Sequence, residues 1–432
     1  MAGNHQRNAR RRVVVAGIAG NVMEWYDFAI YGYFARTIGK LYFPADNQTA
    51  TLLAAFGVFA VGFMMRPLGA VFFGYIGDRV GRGPALLWSV VAMAVPTLGI
   101  GLLPSYDQVG IAAPLLMLLF RIFQGLAVGG EYTASAVFLA ETADESRRGF
   151  ASAWAPFGAV AGILLGSAVG AVVLNGLTAE QIVAWGWRLP FLFGVVVGGV
   201  GFILRRRMAF DKPAATHGFP LAGAVRGNGR EMLMVMGLSL VNAVCFYLTF
   251  VYVVTWLRLY ANVKAAVALQ INTVNMAIML AVILASAWLS DRIGRKPILV
   301  AAALGLTFLS WPLMAAMCTG DVWVVFLGQF GLTLLIGAYG GVIPATMCEM
   351  FPKAIRCSAV STAYNITVGI AGGTAPMAAT WLIDRTGYSL APAIYMTLSC
   401  ALSAVAAFFL VESSKRRLEE HGVPGLAVAE PG

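Results

Sequence analysis

The feature that most limits the fold is a succession of apolar stretches, each about as long as a helix needs to cross the hydrocarbon layer, roughly 20 residues. They lie near 13–35, 52–77, 84–103, 110–139, 149–174, 186–204, 231–257, 265–289, 297–318, 321–344, 357–383 and 389–411. A segment that spans a bilayer must satisfy its own backbone groups, so these twelve runs are expected as helices. Gly and Pro are frequent inside them, which membrane helices tolerate because neighbouring helices re-satisfy the backbone. With 59% hydrophobic and only 12% charged residues over 432 positions, the chain has too little polar surface to be solvated by water alone.

A second regularity divides the runs. Gly77-Asp78-Arg79-Val80-Gly81-Arg82 follows the second run and Ser290-Asp291-Arg292-Ile293-Gly294-Arg295 follows the eighth, half a chain later. Each copy is trailed by an acid and a base at equal spacing, Glu141 with Arg148 and then Glu349 with Arg356. The chain reads as a tandem duplication. Between the copies, Arg205-Arg206-Arg207, Lys212-Pro213, Gly218, Pro220, Gly223 and Gly227 make a poor helix. The expected organisation is a six-helix bundle over 1–204, a cytoplasmic linker over 205–230, a second six-helix bundle over 231–411 and a cytoplasmic tail over 412–432.

Orientation follows from the cations. The odd-numbered connections hold only Arg36, Lys40, Arg188, Arg258, Lys264 and Arg385, and Arg66 and Arg121 lie inside spans. All other Lys and Arg sit in the termini and even-numbered connections, which places both termini in the cytoplasm. The net charge of +10 then reflects loops facing anionic lipid and calls for no nucleic acid. Arg10-Arg11-Arg12 before an apolar run imitates a secretory signal, but Glu24 and Asp27 interrupt that run and no cleavage pattern follows, so it is read as a retained first span. Cys245, Cys318, Cys348, Cys357 and Cys400 lack metal-ligand spacing, and structural disulfides are not expected.

The motifs resemble those of a known family. Twelve spans in two parallel repeats, with Gly-Asp-Arg-x-Gly-Arg after the second and its echo after the eighth, resemble the major facilitator superfamily. More narrowly, Gly20-Asn21-Val22-Met23-Glu24-Trp25-Tyr26-Asp27-Phe28 is similar to its metabolite:proton symporter branch, as are Arg66-Pro67-Leu68-Gly69, Arg121-Ile122-Phe123-Gln124-Gly125 through Gly129-Gly130-Glu131-Tyr132, and Trp185-Gly186-Trp187-Arg188. That branch includes permeases for proline and betaine, α-ketoglutarate, citrate and shikimate. The resemblance implies an all-α membrane protein of the major facilitator fold, a multi-pass transporter of the bacterial inner membrane, with no cofactor beyond a coupled proton. A monomer is expected.

Physical chemistry gives these residues roles. In each signature loop the glycines permit a tight turn, and the aspartate can meet a helix N-terminus or a neighbouring arginine. Gly77, Asp78, Arg79, Gly81, Arg82, Asp291, Arg292, Gly294 and Arg295, with Glu141, Arg148, Glu349 and Arg356, are expected to form a cytoplasmic interlock that breaks as the halves rock. Ser290 replaces a glycine, so the second turn is expected to be looser.

Ionisable groups inside apolar spans are costly and mark function. Glu24, Asp27, Arg66, Arg121 and Glu131 are the set, and in the second half Gln329 and Tyr339 occupy the places of Arg121 and Glu131. Helical spacing puts Gly17, Asn21, Glu24, Asp27 and Tyr31 on one face, and Arg121, Gln124, Glu131 and Ser135 on another; both are expected to line the cavity between halves. Arg121 and Glu131 are about 15 Å apart along a helix axis, so Arg121 is matched instead to Asp27. His5, His217 and His421 lie in tails or linker, which leaves proton coupling to Asp27, Glu24 and Glu131. A substrate carboxylate is expected to take Arg121 and release Asp27 to a proton. Gln124, Tyr31, Tyr26, Tyr247, Gln329, Tyr364 and Asn365 are the other candidate substrate contacts, with Tyr26 and Trp256 suited to a cationic group. Arg66 is assigned to the gate, with Glu131.

Gly158, Gly162, Gly166 and Gly170 form a ridge that lets another helix approach. The Gly-Pro pair of drug/proton exchangers is replaced by Ala155-Pro156, which favours uptake. No nucleotide-binding Gly-rich loop and no nucleophile, metal or cofactor constellation argues for an enzyme or an ATP-driven pump. The stretch Lys415-Arg416-Arg417 to Glu420 is too short for a coiled coil of the kind osmolyte permeases can carry. The expected solute is therefore a small organic acid, with a proline- or betaine-like zwitterion, a proton-independent facilitator and a transporter-like sensor as alternatives.

Overall fold

A computed structural model describes residues 18, 20–45, 47–79, 82–206 and 227–414, and only the backbone at 74, 75, 77–79, 82–86, 204 and 205. The side chains of the first signature, Gly17, the three histidines, residues 207–226 of the linker and the tail beyond 414 lie outside the described residues.

Every regular element among the described residues is helical. In chain order the longer ones are α1 (20–33), α2 (Ala35–Tyr42), α3 (Gln48–Met64), α4 (Arg66–Arg79), α5 (Arg82–Leu102), α6 (Ala112–Val128), α7 (Glu131–Thr142), α8 (Trp154–Gly176) and α9 (Arg188–Arg206) in the first half. The second half holds α10 (Gly229–Leu240), α11 (Val253–Tyr260), α12 (Ala265–Ile293), α13 (Arg295–Met317), α14 (Val322–Glu349), α15 (Arg356–Thr367), α16 (Gly373–Thr386) and α17 (Ala391–Phe409).

Nine helical stretches among the described residues are long and apolar enough to span a bilayer, ten if Ala179–Gly186 and Arg188–Ile203, bent by 48°, form one span. The expectation was twelve. The first run loses its beginning to residues outside the described ones, and the third is apolar and described over Leu87–Leu102 alone. Large apolar side chains such as Trp88, Val172, Phe308, Trp323 and Phe408 are exposed around the outside, where lipid rather than water would solvate them.

Close packing follows small residues. The predicted glycine ridge of α8 lies against α1, where a Cβ on Gly162 would stand 2.3 Å from the Val22 carbonyl oxygen. The two halves meet along α8 with α12 and along α3 with α16. Two of the segments at this seam are not regular α-helix. Wider π-turns occupy Val241–Cys245 and Leu248–Tyr252 between α10 and α11, and Val368–Gly372 between α15 and α16. They pack on each other, with a Cβ at Gly372 coming to 3.0 Å from the Tyr247 ring.

Candidate functional site

Rings from both halves meet at the middle of the seam. Trp25 of α1 stacks on Tyr247, 6.1 Å between centroids, and Tyr132 of α7 stacks on Tyr364 of α15 at 4.9 Å. Phe63 and Phe246 close the cluster at 5.1 and 5.6 Å from Tyr247. Arg66 stands beside it, its guanidinium carbon 5.2 Å from the Trp25 ring and 5.4 Å from the Phe63 ring. It is buried, ion-paired with Glu24 at 3.1 Å, and its Nε donates to Asn365 Oδ1 of the second half at 3.3 Å. The acid of Arg66 is thus Glu24, not Glu131, because Glu131 opens α7 beyond the Gly129-Gly130 interruption and is only half-buried. Asn365 also donates to the Gly129 carbonyl at 2.9 Å, tying the halves together at that interruption. Three donors at the seam, Arg66 Nη1, Trp25 Nε1 and the Tyr247 hydroxyl, are buried with no hydrogen-bond partner among the described residues.

Arg121 and Asp27 lie one layer away. The described partners of both belong to the first half, which departs from the expectation that these two residues line the cavity between halves. Asp27 turns into the first half toward α5 and α9, where a Cβ on Gly194 would come within 2.9 Å of its Oδ1. Arg121 is stacked over Tyr31, 3.7 Å from the ring centroid, with Phe28 and Phe59 also around it. The packed rings of Phe28, Phe59 and Phe63 stand between it and Tyr247. Arg121 is joined to Asp27 through two uncharged side chains: its Nη1 donates to Gln124 Oε1 at 2.9 Å, Gln124 Nε2 donates to Thr97 Oγ1 at 2.8 Å, and Thr97 donates to Asp27 Oδ2 at 2.5 Å. Arg121 Nε and Nη2 have no hydrogen-bond partner among the described residues.

Other candidates are placed elsewhere. The Tyr26 hydroxyl donates to the Pro190 carbonyl at 2.6 Å and Tyr31 to the Ala55 carbonyl at 3.0 Å, so both rings serve the interior of the first half. Trp256 donates to the Ser389 carbonyl within the second half. Gln329 donates to Asn272 Oδ1 at 2.7 Å and the Thr249 carbonyl at 2.9 Å. Asn272 in turn donates to the Tyr33 hydroxyl at 3.0 Å and to Ser167 Oγ at 3.2 Å, both in the first half. Gln329 therefore belongs to a neutral network that closes the end of the seam opposite the signature loops. Thr97 and Asn272 were not singled out from the sequence, and Trp25 stood only inside the first-span motif with no role assigned, because an uncharged hydroxyl, indole or amide inside an apolar run gives no signal of its own.

The signature end is closed by charge. Asp291 accepts from the backbone N–H groups of Gly149 and Phe150 at 2.8 and 2.9 Å and pairs with Arg295 at 2.8 Å. Glu349 Oε1 holds both Arg148, at 3.3 Å across the seam, and Arg295, at 3.2 Å. Glu141 reaches Arg356 at 2.5 Å, the second crossing pair. The described members of the predicted interlock are in contact here apart from Arg292, the side chains of 77–82 lying outside the described residues, and two points differ from expectation. Arg292 points outward and stacks 3.7 Å over Trp288, taking no part in the cluster. Ser290 does not loosen the turn: it sits within α12 and accepts from Arg295 Nη1 at 2.6 Å, while Gly294 alone, at φ +103, makes the corner.

Glu412, just past α17, completes this end. Its carboxylate accepts from the N–H groups of Arg295 and Lys296 at 3.0 and 2.9 Å, at the start of α13. Burial raises its pKa, but these backbone donors and that of Ser414 outweigh burial and hold it below the ordinary carboxylate range. A depressed acid stabilises the fold above its unfolded pKa, about 4.3, and that contribution is lost as pH falls through the folded value. The thermal midpoint in detergent is therefore expected to fall on acidification through this window, and Glu412→Gln should remove that component. An acid dependence identical in the variant would rule the assignment out.

Comparison with known proteins bears on the family and the fold. The model of a family described as sugar (and other) transporter matches residues 13–208 and 220–423. The glycine betaine/proline/ectoine/pipecolic acid transporter OusA of Dickeya dadantii is 34% identical over 426 residues, 95% of this chain and 85% of that protein. The proline/betaine transporter of Escherichia coli K12 is 32% identical over 425 residues, with the same shares covered. The MFS (major facilitator superfamily) proton:xylose symporter XylE bound to 6-bromo-6-deoxy-D-glucose has the same fold, with a TM-score of 0.76 at 18% identity over 95% of this chain and 97% of that one.

Proposed function

The chain belongs to the sugar (and other) transporter family of the major facilitator superfamily, and from that premise we propose that it imports a small zwitterion of the betaine or proline kind together with a proton. The organic acid expected from the sequence gives way to the zwitterion on two grounds. The relatives are named for betaine and proline, and the charge of the seam favours a solute with no net charge.

The observation that carries the reading is the Arg66–Glu24 pair set among rings from both halves. The pair is neutral as a unit, so a di- or tricarboxylate would bring uncompensated negative charge beside Glu24, whereas a zwitterion brings none. Its carboxylate suits the spare donors of Arg66, Trp25 and Tyr247. Its ammonium suits the faces of Trp25, Tyr132 and Tyr364, since ring quadrupoles attract onium groups.

Asp27 is the proposed proton carrier. Direct exchange of Arg121 between solute and Asp27 is replaced by a longer coupling, through Gln124 and Thr97 on one side and the Phe28, Phe59 and Phe63 rings on the other. Twelve spans in two six-helix halves, joined through 205–230 with both ends in the cytoplasm of a bacterial inner membrane, complete the proposal, and the signature end is its inner gate. A proton is the only coupling species required.

The test is uptake by proteoliposomes under an imposed pH gradient, comparing glycine betaine, proline, α-ketoglutarate, citrate and shikimate. Betaine or proline is expected to accumulate, and collapse of the gradient to abolish accumulation. Asp27→Asn should lose proton-driven accumulation while exchange of solute persists. Accumulation of an organic acid in place of the zwitterions would overturn the substrate assignment, and accumulation without a gradient the coupling.

A further inference from the structure

Thr97 is fully buried on α5, and three groups lie within hydrogen-bond distance of its single hydroxyl: Asp27 Oδ2 at 2.5 Å, Gln124 Nε2 at 2.8 Å and the Met93 carbonyl at 2.9 Å. The Gln124 amide is oriented from its far side. Arg121 Nη1 can only donate, so the Gln124 atom facing it is the carbonyl oxygen, and Nε2 faces Thr97 as a donor. That occupies one of the two lone pairs on the hydroxyl oxygen, and the one hydroxyl proton is left with two acceptors. With Asp27 ionised, the proton goes to Oδ2. With Asp27 protonated, the carboxyl donates to the remaining lone pair of Thr97, and the hydroxyl proton turns to the Met93 carbonyl. Gln124 keeps its partner in both states, and no heavy atom has to move.

We propose that Thr97 is a two-position hydroxyl switch that lets Asp27 take up and release a proton without breaking its link to Arg121, and so sets how tightly solute movement is tied to proton movement. It is a positioning residue, and the inference rests on Asp27 being the proton carrier. The titratable neighbours of Asp27 are Tyr26 on α1 and Arg121, behind Gln124, on α6. The Glu24–Arg66 pair lies one turn earlier on α1, while α5 presents Thr97 and α9 presents Gly194.

Thr97→Val keeps the shape and removes the hydroxyl; Thr97→Ser keeps the hydroxyl. A lost hydrogen bond to a charged group should lower the ratio of proton-driven accumulation to solute exchange about tenfold in Thr97→Val, whereas Thr97→Ser should stay within about twofold of the wild type. Because the ionised carboxylate loses its donor, the pH dependence of uptake should move toward alkaline pH by about one unit in Thr97→Val. If Thr97→Val keeps both the ratio and the pH dependence while Asp27→Asn loses accumulation, the switch is overturned and the proton carrier stands. If Asp27→Asn accumulates solute normally, both are overturned.

Should Thr97→Val fail to reach the membrane, infrared difference spectra of the wild type and Thr97→Ser decide the matter. The carboxylic acid band that disappears in Asp27→Asn is expected at the position of a hydrogen-bonded acid in both proteins. A band at the position of a free acid would overturn the switch.

Discussion

Glu349→Gln is expected to shift this chain toward a form open at the signature end by roughly a hundredfold, since removing one partner of a buried ion cluster costs about 3 kcal/mol or more. Glu349 is fully buried and holds three groups: Arg148 from the first half, Arg295 from its own half, and the Ser413 hydroxyl, which donates to Oε2 at 2.6 Å. A glutamine sets two enclosed guanidinium groups against an uncharged amide where the carboxylate stood, while Asp291 still faces Arg295. Opening that end returns Arg148 to water, so the penalty falls on the closed form. Distances between spin labels placed on the two halves at the signature end should lengthen in the variant. An unchanged distance distribution would mean that Glu141–Arg356 and the Asp291 contacts hold this end closed unaided.

Arg66→Gln should reduce uptake at least a hundredfold, by a comparable argument at the seam. It removes one partner of a buried ion pair, at about 3–5 kcal/mol, and it removes the charged donor set among the rings. Pairing it with Glu24→Gln separates the two losses. The double variant is expected to recover folding and membrane yield but not transport, because the neutral pair satisfies the interior without offering a charge to the solute carboxylate. Recovery of transport along with folding would show that the pair is only a structural tie. Arg66→Lys adds a further comparison, since a lysine keeps the charge but lacks the planar fork that serves Glu24 and Asn365 together.

Much of this architecture could be read from the chain because it rests on charges placed where charges are expensive. The paired Glu141–Arg148 and Glu349–Arg356 spacings pointed to an interlock, and the pairs do cross, Arg148 to Glu349 and Arg356 to Glu141. The α8 glycines pointed to a close helix, and α1 fills that place. What helical spacing could not supply was direction. Glu24 and Asp27 share a face by period, yet the first reaches the seam and the second turns toward α5 and α9, since the two sides of one broad face meet different neighbours. The Thr97 link was equally hidden, because a threonine in an apolar span is common and its partners come from two other helices. The relatives favour the zwitterion alternative over the organic acid, and the structural ground for that preference was hidden for a related reason: the neutrality of the Glu24–Arg66 pair belongs to the two as partners, and the sequence displays them 42 positions apart.

The wide turns on either side of Tyr247, and the one facing them at Val368–Gly372, have a mechanical meaning. A regular helix resists torsion because each hydrogen bond fixes its neighbour, whereas a turn with one surplus residue can pass that residue along the axis by exchanging one bond at a time. Among the described residues three of the four such turns lie in the second half beside the rings that would grip a solute, and the fourth, Ile182–Gly186, precedes α9 in the first half. The segments around Tyr247 and Val368–Gly372 are then the parts placed to yield when cargo arrives.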